Sequence, residues 1–333
     1  MTSGKTPLPS SAERPLWKRL LLRRLKILAA LALIVLVLGG GSYLLAPQWL
    51  MRADHWRQAM AADLSTHHVQ IGDTRWTYYE GGEGPTIVLL HGYGVDRNIW
   101  LKTAKPLTRH FHLIIPDLPG WGESTRVEGD DYGIPAQAAR LNAFLHTLQP
   151  GKPMLVGHSM GGAIAGYYAS EHPDRVGALV LMDSFGLSFD KNAFARKALA
   201  GDNPFVFDDR AGFRRMAKLV FDTPPDLPGR FIDVLVNRNK ANRAFLERVF
   251  DTLRKPGQYD VLDSRLDKLS MPVLGIWCAD DRVIDRSALD TLRDGLHHSP
   301  SISATVINGC GHVPEVEEPD AVERILTGFA ISQ

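Results

Sequence analysis

The sequence predicts an α/β fold, a mostly parallel sheet carried behind one N-terminal membrane helix. Three observations lead there. Thr86 to Leu90, Phe111 to Ile115, Met154 to Val156, Ala178 to Met182, Val273 to Trp277 and Ser303 to Ile307 are short apolar runs without alternation. Strands buried on both faces of a parallel sheet read this way. Helical stretches such as Pro135 to Leu148 and Ala288 to Leu296 fall between most of these runs, and strand–helix alternation implies parallel pairing. Finally, Gly157-His158-Ser159-Met160-Gly161-Gly162 joins an apolar run to the small-residue helical stretch Ala163 to Ala169. A strand, a sharp turn and a helix are the setting in which a G-x-S-x-G serine is lifted clear of a sheet.

Length and composition bound the possibilities. The 333 residues are 44% apolar and 23% charged, which is ordinary for a globular protein. A formal net charge of +1 provides no global field for nucleic acid. Cys278 and Cys310 are too few for a disulfide scaffold and wrongly spaced for structural zinc, and whether they pair is open. Of 12 histidines only His67-His68 and His297-His298 cluster, without carboxylate or Cys partners at metal-ligand spacing, so no metal or other cofactor is expected.

Residues 1–15 are rich in Ser, Pro and Thr and read as a disordered tail. Lys18, Arg19, Arg23, Arg24 and Lys26 complete a basic segment, 1–26, ahead of an uncharged stretch, 27–46, with no polar face. Twenty such residues cross a hydrocarbon core. A cleaved signal peptide would need small residues at its cleavage site, but Leu44 stands two before Ala46. An uncleaved anchor is therefore expected, with its basic flank cytoplasmic and the remainder translocated, periplasmic in a bacterium. Residues 47–65 interleave Trp49, Met51, Trp56, Met60 and Leu64 with Arg and Asp, an amphipathic juxtamembrane helix.

The globular part, 66–183 and 269–333, opens with a hairpin signal, His68 to Ile71 and Arg75 to Tyr79 around Gly72-Asp73, which brings the strand count to eight. The interval 184–268 has no strand-like run and holds 10 of the 13 Phe, from Phe185 to Phe250, with breakers at Pro204, Pro224-Pro225 and Pro228. It reads as a helical insertion over the sheet. Its Phe residues form a small core of their own, line an apolar pocket over Ser159, or do both.

A serine hydroxyl is a weak nucleophile at neutral pH and needs a base, which needs an orienting acid. On this architecture the order along the chain is Ser, then Asp or Glu, then His. Asp281 follows one strand end and His312 the last, where ligands meet open parallel sheets. The expected catalytic residues are therefore Ser159, Asp281 and His312, with Asp280 and Asp183 as rival acids. The oxyanion donors are the N–H groups of Met160, after the nucleophile, and Tyr93, after His91-Gly92. His91 itself reads as a structural hydrogen-bonding residue.

These pieces resemble the α/β-hydrolase superfamily: HGYG from His91, DLPGWGES from Asp117, GHSMGG from Gly157, HPDRV from His172 and GHVPEVEEP from Gly311 span nearly all of 66–333. The N-terminal anchor, WCADDRVID from Trp277 and NGCGH from Asn308 narrow the likeness to bacterial family V lipases and membrane-anchored animal monoacylglycerol lipases. The resemblance implies an α/β-hydrolase fold with a helical cap and a serine esterase acting on acylglycerols or related lipid esters at a bilayer. It leaves a carbon–carbon bond hydrolase or other serine acyl-transfer enzyme as the alternative, and a non-catalytic binding protein as a third reading disfavoured by the filled triad. Dehalogenases and epoxide hydrolases of this fold carry Asp where Ser159 stands. Cys278 departs from the usual Gly before the acid loop, which leaves the choice between Asp280 and Asp281 open. Acyl-chain length, head group and oligomeric state have no signal in the sequence.

Overall fold

The structure, a computed structural model, describes residues 16–332; the expected tail over 1–15 lies outside them. The chain divides into two compact units, residues 1–51 and 52–333.

The first unit is dominated by α1 (Leu16–Leu45). From Trp17 to Leu45 it is 29 residues long and apolar enough to cross a membrane. At ~1.5 Å per residue such a helix exceeds the ~30 Å hydrocarbon thickness. The helix begins well before Ile27 because Leu20, Leu21, Leu22 and Leu25 alternate with Lys and Arg, all good helix formers, so the basic flank belongs to the same helix. After Ala46 comes α2 (Pro47–Ala61), with Pro at its first position. It ends earlier than residue 65. Asp63 adopts φ +54°, a left-handed conformation that closes the helix, and Leu64-Ser65 enter the first strand instead.

In the second unit one eight-stranded sheet runs in the order β1-β2-β4-β3-β5-β6-β7-β8. The strands are β1 (Leu64–Ile71), β2 (Thr74–Gly81), β3 (Thr86–Leu90), β4 (His112–Pro116), β5 (Met154–His158), β6 (Ala178–Met182), β7 (Val273–Cys278) and β8 (Ile302–Ile307). The β1–β2 and β2–β4 pairs are antiparallel, the first as the tight turn at Gly72-Asp73 requires, and all other pairs are parallel. Central β5 and β6 are buried at every residue, whereas edge strand β8 alternates exposed and half-buried positions. The unbroken apolar runs thus mark the strands covered on both faces.

Helices flank the sheet. One face packs α4 (Ile134–Leu148), α5 (Met160–Glu171) and α9 (Ala288–Gly295), around Trp76, Phe144, Ile164 and Trp277. The other packs α3 (Leu101–Leu107) and α11 (Pro319–Ser332), around Trp100, Leu107, Ile115 and Leu326. The four-residue α10 (Pro314–Glu317) precedes α11. Between β6 and β7 lie α6 (Ala193–Leu199), α7 (Arg210–Val220) and α8 (Gly229–Leu253), with no strand among them. These three form the cap. Asp209 and Asn192 side chains cap α7 and α6 by accepting main-chain N–H bonds.

The cap Phe residues divide. Phe207 and Phe213 close a small core with Ala217, Ile232 and Val236. Phe245 instead packs on the main core, its ring 5.0 Å from Trp121 and 4.9 Å from Tyr132. Phe205 and Phe250 surround the Tyr93 ring, at 5.6 and 6.2 Å.

Candidate active site

Ser159 follows β5 directly and caps α5 with φ +51° and ψ −118°. A non-glycine residue is strained there, and the surroundings hold it. Its N–H donates to Met182 O at 3.0 Å, and its carbonyl accepts from Phe185 N at 3.0 Å. The flanking glycines are needed for close approach. A Cβ on Gly157 would lie 2.3 Å from Gly161 O, and one on Gly161 would lie 2.5 Å from Leu90 O.

His312 stands on the loop after β8, and Asp281 on the loop after β7. Ser159 Oγ donates to His312 Nε2 at 3.0 Å, and His312 Nδ1 donates to Asp281 Oδ2 at 2.8 Å. The other Asp281 oxygen accepts Val283 N at 2.7 Å and Ile284 N at 3.1 Å. Asp281 is thus oriented by three N–H donors and in turn fixes the imidazole tautomer. Burial pushes the His312 imidazole down to about 4, so the ring is neutral at neutral pH and Nε2 is free to accept from Ser159.

The two rival acids part company. Asp280 is exposed, and its main chain donates to Cys310 O at 3.3 Å. Asp183 is fully buried, with φ +42°, and accepts Cys278 N at 2.9 Å. An oxygen of Asp183, an oxygen of Asp281 and a ring nitrogen of His312 lie within 4.8 Å of one another. Two carboxylates this close do not both ionise. Burial raises both, but the Asp281 charge adds to the effect on Asp183, whereas main-chain N–H groups and Asp183 itself oppose it on Asp281. Asp183 is therefore the more readily protonated of the two, and Asp281, met by three N–H donors, is the acceptor facing His312. The same three side chains form the one cluster of metal-ligand type among the described residues, with the His312 Nδ1 and Asp281 Oδ2 atoms already committed to each other.

The Met160 N–H opens α5, where no preceding helical carbonyl can take it. A Cβ on Gly92 would lie 3.1 Å from Ser159 Cβ, so the loop after β3 crosses Ser159 closely and delivers Tyr93 beside it. The Tyr93 hydroxyl donates to Leu246 O of α8 at 2.7 Å, which ties that loop to the cap. His91 is fully buried. Its Nε2 accepts Leu118 N at 3.0 Å and its Nδ1 donates to Gly92 O at 2.8 Å, so it is a neutral hydrogen-bonding residue that shapes the loop.

Several contributors had no marker of their own in the sequence. Cys278 and Cys310 form a disulfide. The His312 N–H donates to Val220 O at the end of α7, at 2.6 Å. Glu317 accepts Gly311 N at 2.7 Å through one oxygen, and Asp222 N at 2.9 Å and Thr223 N at 3.2 Å through the other. Glu317 lies in the GHVPEVEEP segment, but its cap partners are 95 and 94 residues away.

A serine on a strained turn, an imidazole and a buried carboxylate at successive strand ends of this sheet define a class, and the chain belongs to it: residues 85–319 match the alpha/beta hydrolase fold family. The protein is a hydrolase of that fold. Mouse monoacylglycerol lipase ABHD6 is 28% identical over 316 residues, covering 87% of this chain and 90% of that protein. Lipase 3 of Moraxella sp. strain TA144 is 29% identical over 242 residues, covering 70% and 73%. Among solved structures, a bacterial membrane phospholipase A described as a virulence factor superposes with a TM-score of 0.81 at 33% identity, covering 95% of this chain and 98% of that one.

Proposed function

We propose that the protein is a membrane-anchored serine hydrolase that cleaves the carboxylic esters of lipids, monoacylglycerols or similar acyl esters, through an acyl-enzyme. The observation that carries the reading is the unbroken hydrogen-bonded series from Ser159 through His312 to Asp281. In this mechanism His312 Nε2 takes the Ser159 proton as Oγ attacks the ester carbonyl. The Tyr93 and Met160 N–H groups receive the oxyanion, and the imidazolium that forms is stabilised by Asp281. His312 then protonates the leaving alcohol. Water, activated by the same imidazole, releases the fatty acid and regenerates Ser159.

The lipid preference is supported by the long apolar helix, by the aromatic side chains of Phe205 and Phe250 around Tyr93, and by relatives named as lipases. A tethered enzyme meets lipid at high local concentration and needs little affinity from solution. Each acyl CH₂ buried against such side chains gains about 0.8 kcal/mol. Neighbouring structures of a 2-hydroxy-6-oxo-6-phenylhexa-2,4-dienoate hydrolase and a meta-cleavage product hydrolase, at 23% identity and below, share the fold alone. For the side of the membrane, basic residues on the N-terminal flank favour a cytoplasmic N-terminus. A disulfide within the catalytic unit suits an oxidising, extracytoplasmic compartment.

The test is kcat/KM of the detergent-solubilised full chain on monoacylglycerols, phospholipids and p-nitrophenyl esters from acetyl to palmitoyl. The expected profile rises with chain length and then levels. A maximum at acetyl would sink the lipid reading. Cleavage of a dienoate diketone in preference to every ester would select the carbon–carbon alternative.

A further inference from the structure

Behind the nucleophile lies a second acid–imidazole pair, outside the triad. His158 precedes Ser159 and is 2% exposed; Glu315 follows His312 by three residues and is 0% exposed. His158 Nε2 lies 2.6 Å from the main-chain oxygen of His312. A carbonyl oxygen only accepts, so Nε2 carries the N–H. On the other side of the ring, His158 Nδ1 lies 3.1 Å from Glu315 Oε1. Apart from this approach, neither Glu315 oxygen nor Nδ1 has a hydrogen-bond partner among the described residues.

Two charge states fit those heavy atoms. An imidazolium facing a carboxylate would bury two charges without further donors to the carboxylate, which desolvation penalises heavily. It would also set a cation beside His312, whose ring centroid is 5.0 Å from that of His158, where a second cation forms during catalysis. The neutral state avoids both. Burial acts in the same sense on each group, raising Glu315 and lowering His158.

We propose that Glu315 and His158 form a neutral donor chain, Glu315 O–H to His158 Nδ1 and His158 Nε2–H to the His312 carbonyl, that positions the general base against the nucleophile. The proposal rests on the serine-hydrolase reading. His158 is covalently next to Ser159, so a single hydrogen bond to the His312 main chain sets the spacing between the nucleophile's strand and the base's loop. Glu315 supplies the proton that holds His158 in the required tautomer. Thr103 Oγ1 donates to the Glu315 carbonyl at 3.0 Å and anchors that end on α3. Both are positioning residues, since neither touches the reacting atoms.

The decisive measurement on the unmodified protein is the imidazole nitrogen NMR spectrum, in which His158 should show a neutral ring protonated at Nε2. A doubly protonated ring at neutral pH overturns the proposal. Kinetics then test the consequence. Glu315→Gln keeps a donor toward Nδ1 and should retain kcat within about twofold. Glu315→Leu and His158→Phe should lower kcat by about 10- to 100-fold with KM unchanged. A Glu315→Gln protein as impaired as Glu315→Leu, or a folded Glu315→Leu and His158→Phe with normal kcat, also overturns it. Where a Leu or Phe variant does not fold, the spectrum and Glu315→Gln still decide. Labelling of the unmodified protein by a fluorophosphonate reports on Ser159 separately, so failure of the hydrolase reading is not confused with failure of the donor chain.

Discussion

The disulfide between Cys278 and Cys310 ties the loop that carries Asp281 to the loop that carries His312. Their Cα atoms are 5.3 Å apart and their sequence separation is 32. One cysteine ends β7 three residues before Asp281, and the other stands two residues before His312. The acid and the imidazole are thus joined covalently as well as by their own hydrogen bond.

Removing that link should act on stability. Closing a loop of this length contributes about 3–4 kcal/mol in the chain-entropy account. Replacing both cysteines by Ser should lower the melting temperature by roughly 10 °C. Calorimetry of the double variant, with the original protein under reducing and non-reducing conditions, checks it. Equal melting in all cases would mean that the bond constrains nothing.

The two buried carboxyls should separate in kinetics. Asp281→Asn should lower kcat by on the order of 10³–10⁴, because the imidazole tautomer is no longer fixed. Asp183→Asn keeps a donor toward Asp281 and should lower kcat by less than about tenfold. A reversed ranking would identify Asp183 as the orienting acid.

The pH profile follows from the burial of His312. The base must be neutral to act, and burial depresses its imidazole from the ordinary 6.5 to about 4. Activity should therefore persist as pH falls through 6.5 and decline only toward the lower value. The acidic limb of kcat/KM reports this ionisation in the free enzyme. An acidic midpoint at or above 6.5 would show that the Asp281 charge outweighs desolvation.

Glu317 should couple the cap to the base. Its two oxygens take main-chain N–H groups from Gly311 and from Asp222 and Thr223. Glu317→Ala leaves these donors unpaired, a loss of about 1–3 kcal/mol if water does not replace the carboxylate. The expected outcome is faster proteolysis in the segment after α7 together with reduced kcat. Unchanged proteolysis and turnover would assign the cap's position to its apolar contacts alone.

Local physics made much of this molecule legible in its residues. Uninterrupted apolar runs located the covered strands, because a parallel sheet hides both faces. Gly157 and Gly161 around Ser159 foretold the sharp turn, because only glycine admits the approach of strand to helix. An uncharged stretch beside basic residues located the long apolar helix, because lipid accepts no polar face. The chain order of Ser159, Asp281 and His312 could be read in one dimension; that the three side chains join in one hydrogen-bonded series is a fact of the structure. What only the tertiary structure decided depends on distance in space. Asp183, Asp280 and Asp281 all lie at strand ends, and packing buries one behind the pair, exposes another and turns the third onto His312. The Cys278–Cys310 bond, the Val220 carbonyl at the base and the partition of the cap Phe residues join positions far apart in the chain. No period or spacing encodes such contacts, because they arise only when the cap and the loops after β7 and β8 close over the same end of the sheet.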